Sequence, residues 1–185
     1  MSTVPADYTH GIDPERALKY AVQRFQVDRA EVVEGIIVPS SPTWDHERAA
    51  QLVRRQIADR VEELGCVGGS GNLDLHGSPN WYVPDIAVVP EELAKGAGAL
   101  VPDQTLLVVE VTGDYDADTD RVVKRRRYAE YGAPLYLLID RVERSVTLFA
   151  EPGQLGYTRV DGPHPFGTSL HLPAPFDLDL ETGDL

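Results

Sequence analysis

Two carboxylates interrupt apolar runs that read as β-strands. Asp85 lies within Val83-Pro84-Asp85-Ile86-Ala87-Val88-Val89, and Glu110 within Leu106-Leu107-Val108-Val109-Glu110-Val111-Thr112. Side chains alternate across a strand, so Asp85 shares a face with Val83, Ala87 and Val89, and Glu110 shares one with Leu106, Val108 and Thr112. Both faces are apolar enough to be buried. An ionised carboxylate taken out of water costs several kcal/mol unless it is paired, hydrogen-bonded or bound to a metal. Either acid alone fits a strand-end residue that turns to solvent or meets an arginine. Two such acids on neighbouring strands would repel each other, and a hard divalent cation that prefers oxygen ligands, Mg2+ or Mn2+, relieves repulsion and burial together.

A third chemical group follows Glu110. Lys124 shares a helical stripe with Tyr128 and Tyr131 at i, i+4 and i+7, bordered by Val123 and Arg127. A crossover helix lays its apolar face on the sheet it has just left, which directs Lys124 toward the end of the Glu110 strand. Hydrolysis of a phosphodiester needs a metal to activate water and a cation to orient the nucleophile or steady developing charge. Asp85, Glu110 and Lys124 supply those parts.

The elements that must position these residues read as follows. Residues 1–13 form an arm without periodicity, and a short helix is expected from about Pro14 to Phe25. Arg29 to Val38 is rich in β-branched residues around Gly35, a strand or a hairpin with a bulge at the glycine. The longest helical pattern runs from Trp44 to Leu64, with Val53, Ile57, Val61 and Leu64 on one stripe, Thr43 as N-cap and Gly65 at the end. Apolar segments at Cys66–Leu75 and Tyr82–Val89, separated by Gly77-Ser78-Pro79-Asn80, suggest an antiparallel pair. The nearly unbroken apolar run from Gln104 to Val111 predicts a central strand. Asp118 or Thr119 then caps a helix to about Tyr131, Gly132 closes it, and Leu135-Tyr136-Leu137-Leu138-Ile139-Asp140 completes a strand–helix–strand crossover. Shorter strands follow at Ser145–Ala150, Tyr157–Asp161 and Ser169–Leu172. The expected fold class is α/β, a mixed β-sheet with flanking helices. Residues 1–29 are the expected arm and short helix, and residues 30–185 one domain.

Composition bounds the setting. The 185 residues suffice for one full core, and 42% hydrophobic with 25% charged residues is ordinary for a globular protein. A lone Cys66 can form no internal disulfide, and His10, His46, His76, His164 and His171 lack zinc-type spacing. No run approaches the about 20 apolar residues of a membrane span, and the first ten residues lack a signal-peptide pattern, so a cytoplasmic location and no membrane partner are expected. The formal charge of −13 repels a polyanion at long range. The local exception is Arg121-Val122-Val123-Lys124-Arg125-Arg126-Arg127, where Arg121, Arg125 and Arg127 are the candidate phosphate contacts on what otherwise reads as a solvated helix face.

Pro84-Asp85, Glu110-Val111 in its apolar strand, Asp120, Lys124, Tyr128, Gly132 and Pro134-Leu135-Tyr136-Leu137-Leu138-Ile139-Asp140 together resemble the Uma2 family of endonucleases, within the PD-(D/E)XK nuclease superfamily. The resemblance covers roughly Ala30 to Leu180 and is most specific from Leu107 to Asp140. It implies a restriction-endonuclease-like core. The superfamily's lysine usually lies two residues after the second acid, a place held here by Thr112, and Uma2-like chains carry it on the following helix, where Lys124 stands. The resemblance also implies that Glu31, four residues before Gly35, is a third acid, and that His46 opens the long helix to hold a carboxylate or contact phosphate. Glu34 competes with Glu31, because it shares a face with Val32, Ile36 and Val38 while Glu31 shares one with Val33 and Ile37, and periodicity cannot choose. One departure is the acidic linker Gly113-Asp114-Tyr115-Asp116-Ala117-Asp118, where many relatives have a Ser-Pro-Ser-Thr-like turn.

The expected activity is therefore Mg2+- or Mn2+-dependent hydrolysis of phosphodiesters in DNA. Asp85, Glu110, the Val111 carbonyl and Glu31 are the expected ligands, and Lys124 orients water or stabilises the transition state. The alternative is a non-catalytic nuclease-fold module that binds metal, protein or nucleic acid, which the negative charge favours. A hydrolase of smaller phosphate esters would avoid the charge repulsion. DNA is the expected partner, and a homodimer stays open.

Overall fold

The computed structural model describes residues 14–24, 30–39, 42–113 and 117–185. Its strands are β1 (Ala30–Val33), β2 (Ile36–Pro39), β3 (Cys66–Gly69), β4 (Leu73–Leu75), β5 (Asn80–Tyr82), β6 (Ile86–Pro90), β7 (Leu107–Val111), β8 (Leu135–Asp140), β9 (Ser145–Gly153), β10 (Gly156–Pro165), β11 (Leu170–Leu172) and β12 (Leu178–Leu180). Its helices are α1 (Pro14–Arg24), α2 (Trp44–Glu63), α3 (Glu91–Ala94) and α4 (Arg125–Glu130), the last preceded by a π-helical turn, Thr119–Lys124. A six-stranded sheet runs β10-β9-β8-β7-β6-β3, a four-stranded sheet runs β2-β1-β5-β4, and β11 pairs with β12. This is the expected mixed α/β architecture, a mixed sheet with flanking helices.

The expected crossover is present. β7 and β8 are parallel, in register from Val108↔Tyr136 to Val111↔Ile139, and are joined through the π turn and α4. Every residue of β7 is buried, as its apolar run predicts for a strand covered on both faces. Alternation sorts its side chains. Leu107, Val109 and Val111 join a core with Ala49, Ala50, Val53, Ile57 and Val61 of α2, whereas Val108 joins Tyr82, Tyr128, Tyr136 and Leu138 in a second core on the opposite face. Glu110 therefore faces α4 and the smaller sheet.

α2 begins where its sequence predicts, with the Thr43 hydroxyl accepting the His46 amide at 3.3 Å. The segment around Gly35 is a hairpin without a bulge, since Val33 pairs directly with Ile36. Glu34 and Gly35 both adopt positive φ, 49° and 80°, which matches the right-handed strand twist in a two-residue turn.

The antiparallel pair expected of Cys66–Leu75 and Tyr82–Val89 is divided between the two sheets. β3 pairs with β6 in the larger sheet, and β4 with β5 in the smaller. Pro84 offers no amide to a ladder and Gly69-Ser70-Gly71 is weak strand sequence, so both arms bend at the same level. Asp85 consequently stands at this corner, just ahead of β6 and outside the strand that its apolar neighbours suggest. Ser70 Oγ donates to the Pro84 carbonyl at 2.8 Å and Arg54 Nη2 to the Asp85 carbonyl at 2.5 Å, which ties the corner to β3 and α2.

The predicted helix after Asp118 also differs at its start. Asp118 makes no side-chain cap, and the first turn is wound as a π-helix. β9 and β10 are longer than expected, and β12 was not anticipated. The C-terminal segment is strapped to α2 by Arg60, which donates to the Pro175 carbonyl, and by Gln56, which exchanges hydrogen bonds with the backbone of Glu181. Among the described residues no helix is long and apolar enough to cross a membrane.

Candidate active site

Five segments of the chain meet at one small cavity. The β1 strand brings Glu31, the corner before β6 brings Asp85, β7 brings Glu110 and Val111, and the π turn brings Asp120 and Lys124, while His46 enters from the first turn of α2. Glu31, Val38, Pro39, Pro42, His46, Val83, Asp85, Glu110, Val111, Gly113, Asp120 and Lys124 enclose about 90 Å³. Larger apolar clefts occur elsewhere, but none of those described carries such a set of titratable groups.

Lys124 is 5% exposed, and its ammonium sits among three carboxylates, 2.8 Å from Glu31 Oε2, 3.2 Å from Glu110 Oε1 and 3.3 Å from Asp120 Oδ1. Burial alone would push its pKa down, but Glu110, Glu31 and Asp120 outweigh that cost and hold it well above the usual lysine range. Lys124 is thus a charged cation. Glu110 shifts upward as well, but for an acid this favours the neutral form: its burial disfavours the anion more than Lys124 favours it, and nearby Asp120, Asp85 and Glu31 add repulsion, so its pKa lies well above the carboxylate norm. Tyr128 donates to the same Glu110 Oε1 at 2.7 Å.

Asp85 Oδ2 accepts the Val111 amide at 2.7 Å and lies 3.2 Å from His46 Nε2. Burial disfavours the His46 imidazolium, yet Asp85 and the Val111 carbonyl outweigh it and raise the pKa of the ring. Glu31 Oε1 accepts the amide of Val83, in the connection between β5 and β6, at 2.7 Å. Among the described residues no donor reaches Asp85 Oδ1 or Glu110 Oε2. Both residues line the cavity.

The charge balance is lopsided. Four carboxylates face one lysine and one histidine in the same cavity. All-oxygen donors of this kind suit a hard divalent cation. As the side chains stand, no three His, Cys, Asp or Glu among the described residues are grouped around one point as a metal cage, because the Lys124 ammonium occupies the space between Glu31, Glu110 and Asp120.

The Uma2 family, described as "Putative restriction endonuclease", matches residues 15–183. The chain belongs to the Uma2 family. No curated protein matches the sequence. The fold is similar to the crystal structure of "a putative nuclease belonging to DUF820" from Anabaena variabilis, with a TM-score of 0.61 and 17% identity over 84% of this chain and 88% of that one. At that identity the likeness speaks for a nuclease-like fold.

Within this Uma2 chain the structure brings Asp85, Glu110, Val111, Glu31, His46 and Lys124 together and leaves Glu34 outside. Glu34, in the hairpin turn, accepts both Nε and Nη2 of Arg127, at 2.8 and 2.7 Å, and that contact lowers its pKa. The candidate phosphate-binding arginines have other engagements. Arg121 makes a two-point contact with Asp140 at 2.6 and 2.8 Å, and the Arg125 guanidinium lies 5.1 Å from the centre of the Phe149 ring. None of the three lines the cavity.

Two participants were not singled out from the sequence as site residues, Asp120 and Tyr128. Their signal was present, since Asp120, Lys124 and Tyr128 recur every four residues. In an α-helix that spacing drifts by about 40° per step, and the wider π turn between Asp120 and Lys124 offsets the drift, so that all three are buried.

Proposed function

We propose that this Uma2 chain is a Mg2+- or Mn2+-dependent hydrolase of phosphodiesters in DNA. The observation that carries the reading is one cavity lined by four carboxylates, Glu31, Asp85, Glu110 and Asp120, whose negative charge exceeds what Lys124 and His46 balance. Asp85, Glu110, the Val111 carbonyl and Glu31 would hold the cation. Bound there, the metal would supply Lewis-acid stabilisation of a phosphate oxygen and a more acidic water. Lys124 delivers a fixed positive charge at the same cavity, fit to steady charge that develops on phosphate, and a cation that drew Glu31 or Glu110 away from it would free an N–H to orient that water. His46, held by Asp85, restrains the carboxylate from the α2 side. Membership in a family described as "Putative restriction endonuclease" supports the reading.

A metal-titrated cleavage assay over single-stranded DNA, duplex DNA and RNA tests it, with Glu110→Ala as the blank. Metal-dependent cleavage of DNA by the wild type and none by the variant is expected. Equal products from both proteins would defeat the assignment. The second reading, a nuclease-fold module that binds without cutting, is favoured by the charge of −13 and by the pairing of Arg121 with Asp140 and Arg127 with Glu34. Metal binding without cleavage of any of the three substrates would decide for it.

The third acid has its own test. Glu31→Gln should weaken Mn2+ binding by about tenfold or more, whereas Glu34→Gln should leave it within about twofold, because Glu34 is spent on Arg127. Titration calorimetry on both variants reads the difference, and the reverse ranking would transfer the role to Glu34.

A further inference from the structure

Glu110 can serve a cation in the cavity only if its carboxylate keeps one rotation, and two donors bear on that rotation. Lys124 Nζ is the weaker restraint, since it is shared among three carboxylates and lies closer to Glu31, 2.8 Å, than to Glu110, 3.2 Å. Among the described residues the Tyr128 hydroxyl has one partner, Glu110 Oε1, at 2.7 Å. Its ring is fully buried, meets Tyr82 edge-on with centroids 5.4 Å apart, and is tilted against Tyr136, also at 5.4 Å. A ring wedged on both sides cannot swing, so the place of its hydroxyl is set before any ligand arrives.

We propose that Tyr128 is a positioning residue, whose hydroxyl pins Oε1 of Glu110 and thereby presents Oε2 to the metal. The inference rests on the metal-dependent reading of this cavity. It also gives the π turn a purpose: by keeping Lys124 and Tyr128 in one line with Asp120, the winding lets both donors converge on the same oxygen of Glu110. With the hydroxyl removed, the carboxylate can rotate toward Lys124 and share both oxygens with it, and the cavity loses a preset ligand.

The test is Tyr128→Phe, which keeps the ring and removes only the hydroxyl, beside Tyr157→Phe, which removes the hydroxyl that donates to the Ala133 carbonyl in the same aromatic stack. Mn2+ affinity is measured by calorimetry, and melting temperature with and without Mn2+. Tyr128→Phe should bind Mn2+ about 10- to 100-fold more weakly and gain correspondingly less melting temperature from the metal, while Tyr157→Phe keeps wild-type affinity. A structural role alone would lower the melting temperature of Tyr128→Phe equally with and without metal and leave affinity unchanged, and that result overturns the proposal. Equal loss of affinity in both variants overturns it too, since it would trace the effect to the aromatic stack. A wild-type protein that binds no Mn2+ fails at the first step, which removes the metal reading itself and is distinguishable from the other outcomes.

Discussion

Replacing Lys124 with methionine is expected to destabilise the metal-free protein by about 3–5 kcal/mol, because it removes the partner of buried charges and leaves Glu31, Glu110 and Asp120 facing one another without a cation. Methionine preserves much of the length and apolar bulk of the stem, so the loss comes chiefly from the ammonium. Saturating Mn2+ should recover much of the stability, since a divalent ion offers the same carboxylates the positive charge they have lost. Cleavage should not recover with it. If the ammonium acts mainly on the transition state, the rate at saturating metal and substrate stays about 100-fold or more below wild type. Denaturant unfolding with Mn2+ and with chelator, paired with single-turnover cleavage, separates the two effects. Metal-free stability within about 1 kcal/mol of wild type would mean that the carboxylates are discharged by protons and need no lysine. A full cleavage rate in the metal-rescued variant would end the catalytic role proposed for Lys124.

The second large effect is stabilisation of the wild type by the metal itself. A cation that binds only the folded state at 100 times its dissociation constant adds about 2.7 kcal/mol. For a chain of 185 residues that corresponds to a rise in melting temperature of roughly 5–10 °C. The rise should be largely absent in Asp85→Asn, whose corner backbone is still held by Ser70 and Arg54. Differential scanning calorimetry over Mn2+ and Mg2+ concentrations provides the measurement. Superimposable wild-type curves with metal and with chelator would argue that Lys124 is the permanent cation of this cavity.

Much of the positioning machinery is legible in the one-dimensional sequence, for a local reason. Strand and helix periods assign a residue to a face without reference to any partner, so Glu110 and Val108 are placed on the same side of β7, and Lys124 on the stripe of Tyr128, by counting alone. The apolar run of β7, the crossover to β8 and the cap of α2 by Thr43 follow from equally local rules, and they are found. The Uma2 pattern added Glu31 and His46, which the cavity does contain.

Counting fails where two faces are equally apolar or where a segment changes sheets. Glu31 and Glu34 sit on opposite faces of comparable sequence, and the choice falls to tertiary structure: the two-residue turn at Glu34-Gly35 sends Glu34 to Arg127, while pairing of β1 beside β5 aims Glu31 at Lys124. The bend that lifts Asp85 out of its strand depends on a second bend at Gly69-Ser70-Gly71, far along the chain, and on Arg54 from α2. The arginines of the basic run read as free until Asp140 and Glu34 arrive from β8 and the first hairpin. The sequence by itself determined which groups could do chemistry and the faces on which they stand. Only the tertiary structure decided which of them share one cavity, because a side chain's period is a property of its own element and its charge partner is a property of another.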